Sequence, residues 1–362
     1  MNFKPTILDR YIIRKFIGTY LSALLIIIGI VIIFDISEKI DNFVQNQAPL
    51  KAIIFDYYAN FVPYFINMFS PLFVFITVIF FTSKLASDSE IVAVLSGGIS
   101  FNRFLYPYMI SAVFITIFSL ILNLYIIPPA NTSRIAFEEL YVKKKFLNTN
   151  RNIHYQLSPG EYVYMESFNN LNKTAMKFTL ESLDGHKITS KLSAETAVWD
   201  STKQGWTLYD YYIRSYKGNV EQIESGKIKD TVINLTFSDL ATRKNVVESL
   251  SFNKLNEMIK VQKLRGDKMV KYAQIEKHTR LALPFAAIIL TIMGVSLSSK
   301  RKRGGIGVNI GIGITLSFSY ILFLRFSQMF VHSGVLPPYV ALWVPNMVYG
   351  LIAYFLYRIA PK

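Results

Sequence analysis

Apolar residues in this chain gather into six runs that contain no Asp, Glu, Lys or Arg: residues 16–34, 57–83, 104–133, 281–299, 304–324 and 326–357. A helix rises about 1.5 Å per residue, so roughly 20 such residues cross the hydrocarbon layer of a bilayer. Each run therefore predicts a membrane-spanning helix. The last run contains His332 and Pro337-Pro338, which moves its expected start to about Tyr339. Residues 134–280 are one hydrophilic block, so the layout is three spans, an insert and three more spans.

Inside the insert the pattern changes. Met176, Phe178 and Leu180 alternate with Lys177 and Thr179, and Ile233, Leu235 and Phe237 alternate with Asn234 and Thr236. This period of two predicts strands. Further strands are expected at 162–166, 188–192, 197–200 and 206–215, punctuated by Ser158-Pro159-Gly160, Asp184-Gly185 and Gln204-Gly205. Short strands at this spacing suggest a sandwich or jelly roll. After Ser251 the period lengthens: Phe252, Leu255 and Ile259 share a helical face, Gly266-Asp267 interrupts it, and a second helix runs from about 267 into the fourth span. The expected fold is a polytopic α-helical membrane protein, six transmembrane helices in a 3+3 arrangement, with an inserted all-β, jelly-roll-like domain. The expected divisions are 1–133 for the first transmembrane half, 134–250 for the β domain, 251–280 for connecting helices and 281–362 for the second half.

Charge orients this layout. Of 39 Lys and Arg, 12 fall on one side in short segments: Lys4, Arg10, Arg14, Lys15, Lys84, Arg103, Lys300-Arg301-Lys302-Arg303, Arg358 and Lys362. The other side has only Lys39, Lys51 and Arg325. The positive-inside rule then places both termini in the cytoplasm and the insert outside it, since long domains translocate largely regardless of their own charge. The net charge of +15 is thus a topological signal and no sign of nucleic-acid binding. The first run is expected to be a retained span, because no small-x-small cleavage site follows Phe34-Asp35. With no Cys, disulfide scaffolds and thiol chemistry are excluded.

The search for catalysis is negative. His154, His186, His278 and His332 have no metal-ligand spacing, and no G-x-x-x-x-G-K-[ST] loop occurs. No catalytic residue, metal or cofactor is expected. Gly304-Gly305-Ile306-Gly307 with Gly311 opens a span without a preceding strand, so it reads as helix packing through a G-x-x-x-G face at Gly307 and Gly311. A charge at a helix centre costs about 2.5–3.5 kcal/mol in the membrane and is kept for ion coupling or a similar purpose. These spans have none inside, so any transport draws its energy from elsewhere and suits an apolar or amphipathic cargo. The segment after the second span predicts a short helix: Ser87 or Asp88 as cap, Ile91, Val94 and Leu95 on one face, Gly97-Gly98 as stop. An interfacial helix and a helix docked on a cytoplasmic motor domain have the same periodicity.

Taken in order, Leu8-Asp9-Arg10-Tyr11-Ile12, Ser89-Glu90-Ile91 with Gly98-Ile99-Ser100, Arg280, Pro284, Arg303-Gly304-Gly305, Leu336-Pro337-Pro338 and Trp343-Val344-Pro345-Asn346 resemble the lipopolysaccharide-export permeases LptF and LptG. The first and last of these motifs lean toward LptG. The resemblance covers essentially the whole chain. It implies an inner-membrane permease subunit in a Gram-negative bacterium, working with a cytoplasmic ATPase dimer, a second homologous permease and periplasmic jelly-roll bridge proteins. The implied cargo is lipopolysaccharide, taken laterally from the outer leaflet. The family's coupling helix matches Asp88, Ser89, Glu90, Ile91 and Leu95, with Glu90 foremost. Its cargo gates match Phe34, Asp35 and Lys39 on the first span, and Gly311, Leu316, Phe323 and Arg325 on the fifth. Tyr164, Phe178 and Leu235 are the expected jelly-roll interior. One departure stands out: relatives have a basic cluster at the outer end of the first span, whereas here Lys39 sits among Asp35, Glu38 and Asp41. The alternatives are a permease of another ATP-driven envelope exporter and a non-transporting membrane scaffold whose outer domain binds envelope proteins.

Overall fold

The computed structural model describes residues 6–142, 151–185, 187–217, 220–241, 246–267, 269–299 and 305–360. The cationic run 300–303, Gly304, Lys4, Lys362 and His186 lie outside them. In chain order the elements are α1 (Ile7–Gln45), α2 (Leu50–Ser87), α3 (Glu90–Ser96), α4 (Phe101–Tyr141), β1 (Arg151–Ser158), β2 (Glu161–Asn169), β3 (Thr174–Asp184), β4 (Lys187–Asp200), β5 (Gly205–Lys217), β6 (Val220–Thr231), α5 (Phe237–Ala241), α6 (Val246–Ser249), α7 (Phe252–Arg265), α8 (Val270–Ser298), α9 (Gly305–Ser333) and α10 (Pro338–Ile359). Among the described residues, six helices are long and apolar enough to cross a membrane: α1, α2, α4, α8, α9 and α10. They belong to one compact unit; the sheet, with α5 and most of α7, belongs to a second.

The helices of the first unit overrun the charge-free runs, because backbone hydrogen bonding continues past the apolar core and into charged flanks. α9 passes through Arg325 to Ser333, and only Gly334 at φ +83 and the prolines beyond it end the helix. α1 and α9 both pack on α2. Two clusters hold the bundle. Phe16, Val78, Phe104 and Tyr108 anchor one, and Phe75, Ile79, Leu290, Met293 and Tyr320 anchor the other. Close approach is concentrated at two glycines: a Cβ on Gly294 would stand 2.8 Å from the Val78 side chain, and one on Gly313 only 2.5 Å from that of Ile79. Polar side chains inside the bundle satisfy one another across helices. Asn67 donates to Asn123 at 2.9 Å, Ser119 donates to Asn67 at 2.5 Å, and Tyr320 bonds Asn346 at 2.9 Å.

The second unit contains a six-stranded antiparallel sheet in consecutive order, β1 to β6. This is the all-β insert expected from the sequence. Its apolar face has a crease. Inward residues run Val163, Met165, then Phe168 on β2; Ala175 then Phe178 on β3; Ala194 then Ala197 on β4; Leu208 then Tyr211 on β5. The strands stay in register there, with Phe168 opposite Ala175, Phe178 opposite Ala194 and Ala197 opposite Leu208. Neighbouring strands therefore change parity together, and Lys177 and Asp210 take positive φ (48° and 49°) at the switch. The segment expected as a strand at 233–237 is no strand: Ile233 and Leu235 lie on the apolar face, the Leu235 carbonyl accepts from Trp206 Nε1 at 2.8 Å, and α5 follows. The two strands expected at 188–192 and 197–200 are one, β4.

Candidate functional site

Four groups of residues stand out in the transmembrane unit, and one in the sheet. The first lies where α1 meets α2. Asp35 and Lys39 are one turn apart, so their side chains meet, with Nζ 2.5 Å from Oδ1. A π-helical turn at Ile53–Tyr58 widens the start of α2 and sets the neighbouring Tyr57 and Tyr58 toward the same carboxylate. Tyr57 donates to Asp35 Oδ1 at 3.3 Å and Tyr58 to Oδ2 at 3.0 Å. Lys39 also bonds the Tyr57 hydroxyl, and its ammonium stands 4.8 Å from that ring's centre. The Lys39 charge is thus neutralised within this chain, and both side chains are largely buried. Phe34, next to Asp35, is 72% exposed.

The gate residues expected on α9 divide between its two faces. Leu316 and Phe323 pack into the bundle, and the Leu316 carbonyl accepts from Tyr349 at 3.2 Å. Arg325 is exposed and bonds Gln328 at 3.3 Å. Gly311 is exposed, and a Cβ on Gly307 or Gly311 would meet nothing within 4 Å. The expected packing face at Gly307 and Gly311 therefore has no partner among the described residues; Gly313 makes the close contact instead. Open glycines recur on α1, at Gly18 and Gly29. The most apolar window of α1 is 17% buried and that of α9 28%, against 61% for α2 and α8. Phe34, Asp35 and Lys39 on α1, and Gly311 on α9, thus sit on the two least covered spans.

At the opposite end of the bundle, α3 follows Ser89, whose φ of 61° sharply reverses the chain. Neither Ser87 nor Asp88 caps it: Asp88 closes α2, and the Ser89 side chain makes no capping bond. Ile91 is buried in the bundle core, and Val94 and Leu95 pack against that core. The free surface of α3 is formed by Asp88, Ser89, Glu90, Val92 and Ala93. Val92, 60% exposed, was not singled out by periodicity. Close by, Arg103 grips Asp9 with two 2.6 Å contacts, and Asp9 with Thr6 forms the capping box that starts α1.

A second polar knot, unseen in the sequence, lies at the Asp35 end of the bundle. Arg280 is 2% exposed and donates to Glu276 at 2.6 Å, to the Leu250 carbonyl at 2.7 Å and to the Glu248 carbonyl at 3.1 Å. Arg134 bridges Glu138 at 3.2 Å and Glu248 at 3.5 Å and covers the Tyr64 ring. Burial, and then the Glu276 charge, push the Glu248 carboxyl up to about 7. Residues 248–250 are in this way tied to α4 and α8.

In the sheet, Phe178 and Leu235 are fully buried on the apolar face. Tyr164 is on the other face, because Val163 and Met165 take the inward positions; its ring meets that of His154 at a tilt, 4.8 Å between centres, and it donates to Asn152 at 3.0 Å. A cleft of about 720 Å³ opens beside Trp199, Val232 and Phe237.

Residues 10–359 match the family model described as lipopolysaccharide export system permease LptF/LptG. An uncharacterized protein of Aquifex aeolicus (strain VF5) is 22% identical over 308 residues, which is 82% of this chain and 83% of that protein. The six apolar helices, the inserted sheet and a match over nearly the whole length agree: this chain is a multi-pass membrane protein of the LptF/LptG family of lipopolysaccharide export permeases.

Proposed function

We propose that this chain is one half of an ATP-driven exporter that takes lipopolysaccharide from the outer leaflet of a Gram-negative inner membrane. The observation that carries this reading is the bareness of α1 and α9, with open glycines on both. Apolar helix faces that this chain does not cover call for a partner or a cargo, and small residues let a second permease approach and separate. The second homologous permease faces α1 and α9, and cargo passes between them. Phe34, Asp35, Lys39, Gly311, Leu316, Phe323 and Arg325 are the gate candidates. Acyl chains gain about 0.8 kcal/mol per CH₂ kept from water, which suits spans without internal charge.

Both termini and α3 lie in the cytoplasm, where α3 docks on an ATPase dimer. Asp88, Ser89 and Glu90, together with Val92, form the contact, while Ile91 and Leu95 fix the helix to the bundle. The sheet, β1 to β6, is periplasmic. It receives acyl chains near Phe178 and Leu235 and hands them to periplasmic jelly-roll bridge proteins. Because Asp35 already neutralises Lys39, phosphate capture falls to Arg325 or to the partner permease.

The test is purification of the tagged chain from native membranes in mild detergent, with its partners identified by mass spectrometry. An ATPase at two copies and one second permease of similar size are expected. Cysteine pairs between α1 or α9 and that permease should crosslink. Recovery of the chain alone, or with envelope proteins only, overturns the exporter reading in favour of a scaffold.

A further inference from the structure

A groove of about 390 Å³ opens on the surface of the transmembrane unit, between α4, α8 and α10. That size is in the roughly 300–1,000 Å³ range of pockets for small ligands. Its walls are Leu105 and Met109 of α4 and Ile289 and Ile292 of α8. The space comes from α10, where Gly350 and Ala353 lie one turn apart; a Cβ on Gly350 would meet nothing within 4 Å. It is therefore an apolar slot, unlike the close contacts at Gly294 and Gly313.

One end of the slot is polar. Asn102 and Tyr357 hydrogen-bond to each other across it, and Tyr106 and Tyr354 also line it. Each of these last two rings has a guanidinium over it, Arg103 at 5.4 Å and Arg358 at 5.8 Å. Arg103 is paired with Asp9, so its charge is spent. Arg358 is exposed and has no carboxylate partner among the described residues. A slot for hydrocarbon ending in hydroxyl and amide groups, with the unpaired Arg358 over one of its lining rings, has the polarity of a single anionic phospholipid.

We infer that this groove holds one anionic phospholipid, acyl chain against Met109 and Ile292 and headgroup phosphate at Arg358. The orientation reading places that polar end in the cytoplasmic leaflet, away from the gates on α1 and α9. The lipid would fix α10 to α4 at the end of the bundle where α3 docks. This is a resident lipid, distinct from the cargo.

The full chain, purified with whatever partners accompany it, is placed in phosphatidylcholine vesicles containing a few per cent of phosphatidylglycerol with a photoactivatable diazirine on its acyl chain. Illumination and peptide mapping should concentrate label on the peptides around residues 105–109 and 289–292. Unlabelled phosphatidylglycerol should compete it several-fold better than phosphatidylcholine. Gly350→Phe fills the slot and should cut that label at least several-fold, with label elsewhere unchanged. Arg358→Ala, on the exposed rim, should remove the preference between the two headgroups. Label spread evenly over the lipid-facing surface, or unchanged by both substitutions, overturns the proposal; so does equal competition by the two lipids with Arg358 intact. The probe is present in both leaflets, so the result does not depend on orientation. A chain that purifies without an ATPase but labels in the slot would sink the exporter reading alone.

Discussion

Helices α2 and α8 and helices α1 and α9 use the same residue for opposite ends. On α8, Gly294 lets α2 close in, so that an added Cβ would stand 2.8 Å from the Val78 side chain and 3.2 Å from the Phe75 ring. On α1 and α9, Gly18, Gly29, Gly307 and Gly311 face open space. The first arrangement is a finished interface and the second an unfinished one. Composition does not separate them, since all four helices are apolar and all but α2 contain glycine. α9 has both kinds, since its Gly313 closes on Ile79, so the two roles fall to separate helix faces, and substitutions should sort accordingly.

The largest effect is expected where the bundle is most closed. Arg280→Met leaves Glu276 and the carbonyls of 248 and 250 without their donor. Removing one partner of a buried, hydrogen-bonded ion pair costs about 3–5 kcal/mol, and Glu276 is 25% exposed, which favours the lower end. Thermal unfolding in detergent should show this loss. Arg280→Lys should recover only part, because an ammonium cannot reproduce the planar fork.

Next comes the matched pair of glycines. Gly294→Leu overpacks against Val78 and Phe75 and should cost about 1–3 kcal/mol. Gly311→Leu meets nothing in this chain and should change its stability by about 0.5 kcal/mol or less. It should nevertheless abolish recovery of the second permease. Equal destabilisation by the two would erase the distinction between finished and unfinished faces.

Asp35→Asn acts on the border between the two kinds of helix. It weakens the tie of α1 to Tyr57 and Tyr58, and hydrogen bonds of this kind are worth about 0.5–1.5 kcal/mol net. It also frees the Lys39 ammonium. Crosslinking of lipopolysaccharide to residue 39 should therefore rise in Asp35→Asn while stability falls slightly. Unchanged crosslinking would mean that Asp35 does not mask Lys39.

These contrasts were unevenly legible. The six spans were plain because a charge in a bilayer is so costly that its absence over about 20 residues has few other causes. The stop at Gly266 and the late start of the last helix also followed from pattern, whereas the interior position of Phe178 came from the family resemblance. β6 did not, because it is an edge strand with little buried surface and no apolar alternation: it reads Val-Glu-Gln-Ile-Glu-Ser-Gly-Lys-Ile-Lys-Asp-Thr. β1 does alternate, with Ile153, Tyr155 and Leu157 on the apolar face, but the run has only these three apolar positions and stops at Ser158-Pro159-Gly160. The crease in the sheet defeated strict parity, leaving Met176 42% exposed beside a buried Phe178. Which glycines pack and which stay open depends on neighbours far away in sequence, Ile79 for Gly313 and Val78 for Gly294. The partners of Arg280 were hidden for the same reason, since two of them are backbone carbonyls some 30 residues earlier.

The smallest effect concerns Glu248, beside the Arg280 knot. Its carboxyl titrates near 7 in the folded protein against an ordinary value near 4.5, so between these limits the folded state holds the extra proton. Stability then declines as pH rises from about 4.5 to about 7, because unfolding relieves a carboxylate that burial and Glu276 disfavour. A third of the side chain reaches solvent and Arg134 offsets part of the cost, which damps the slope. Glu248→Gln cannot titrate and should flatten the melting temperature across that window, leaving it nearly unchanged at the acid end. A pH slope that survives the substitution would move its origin away from this knot.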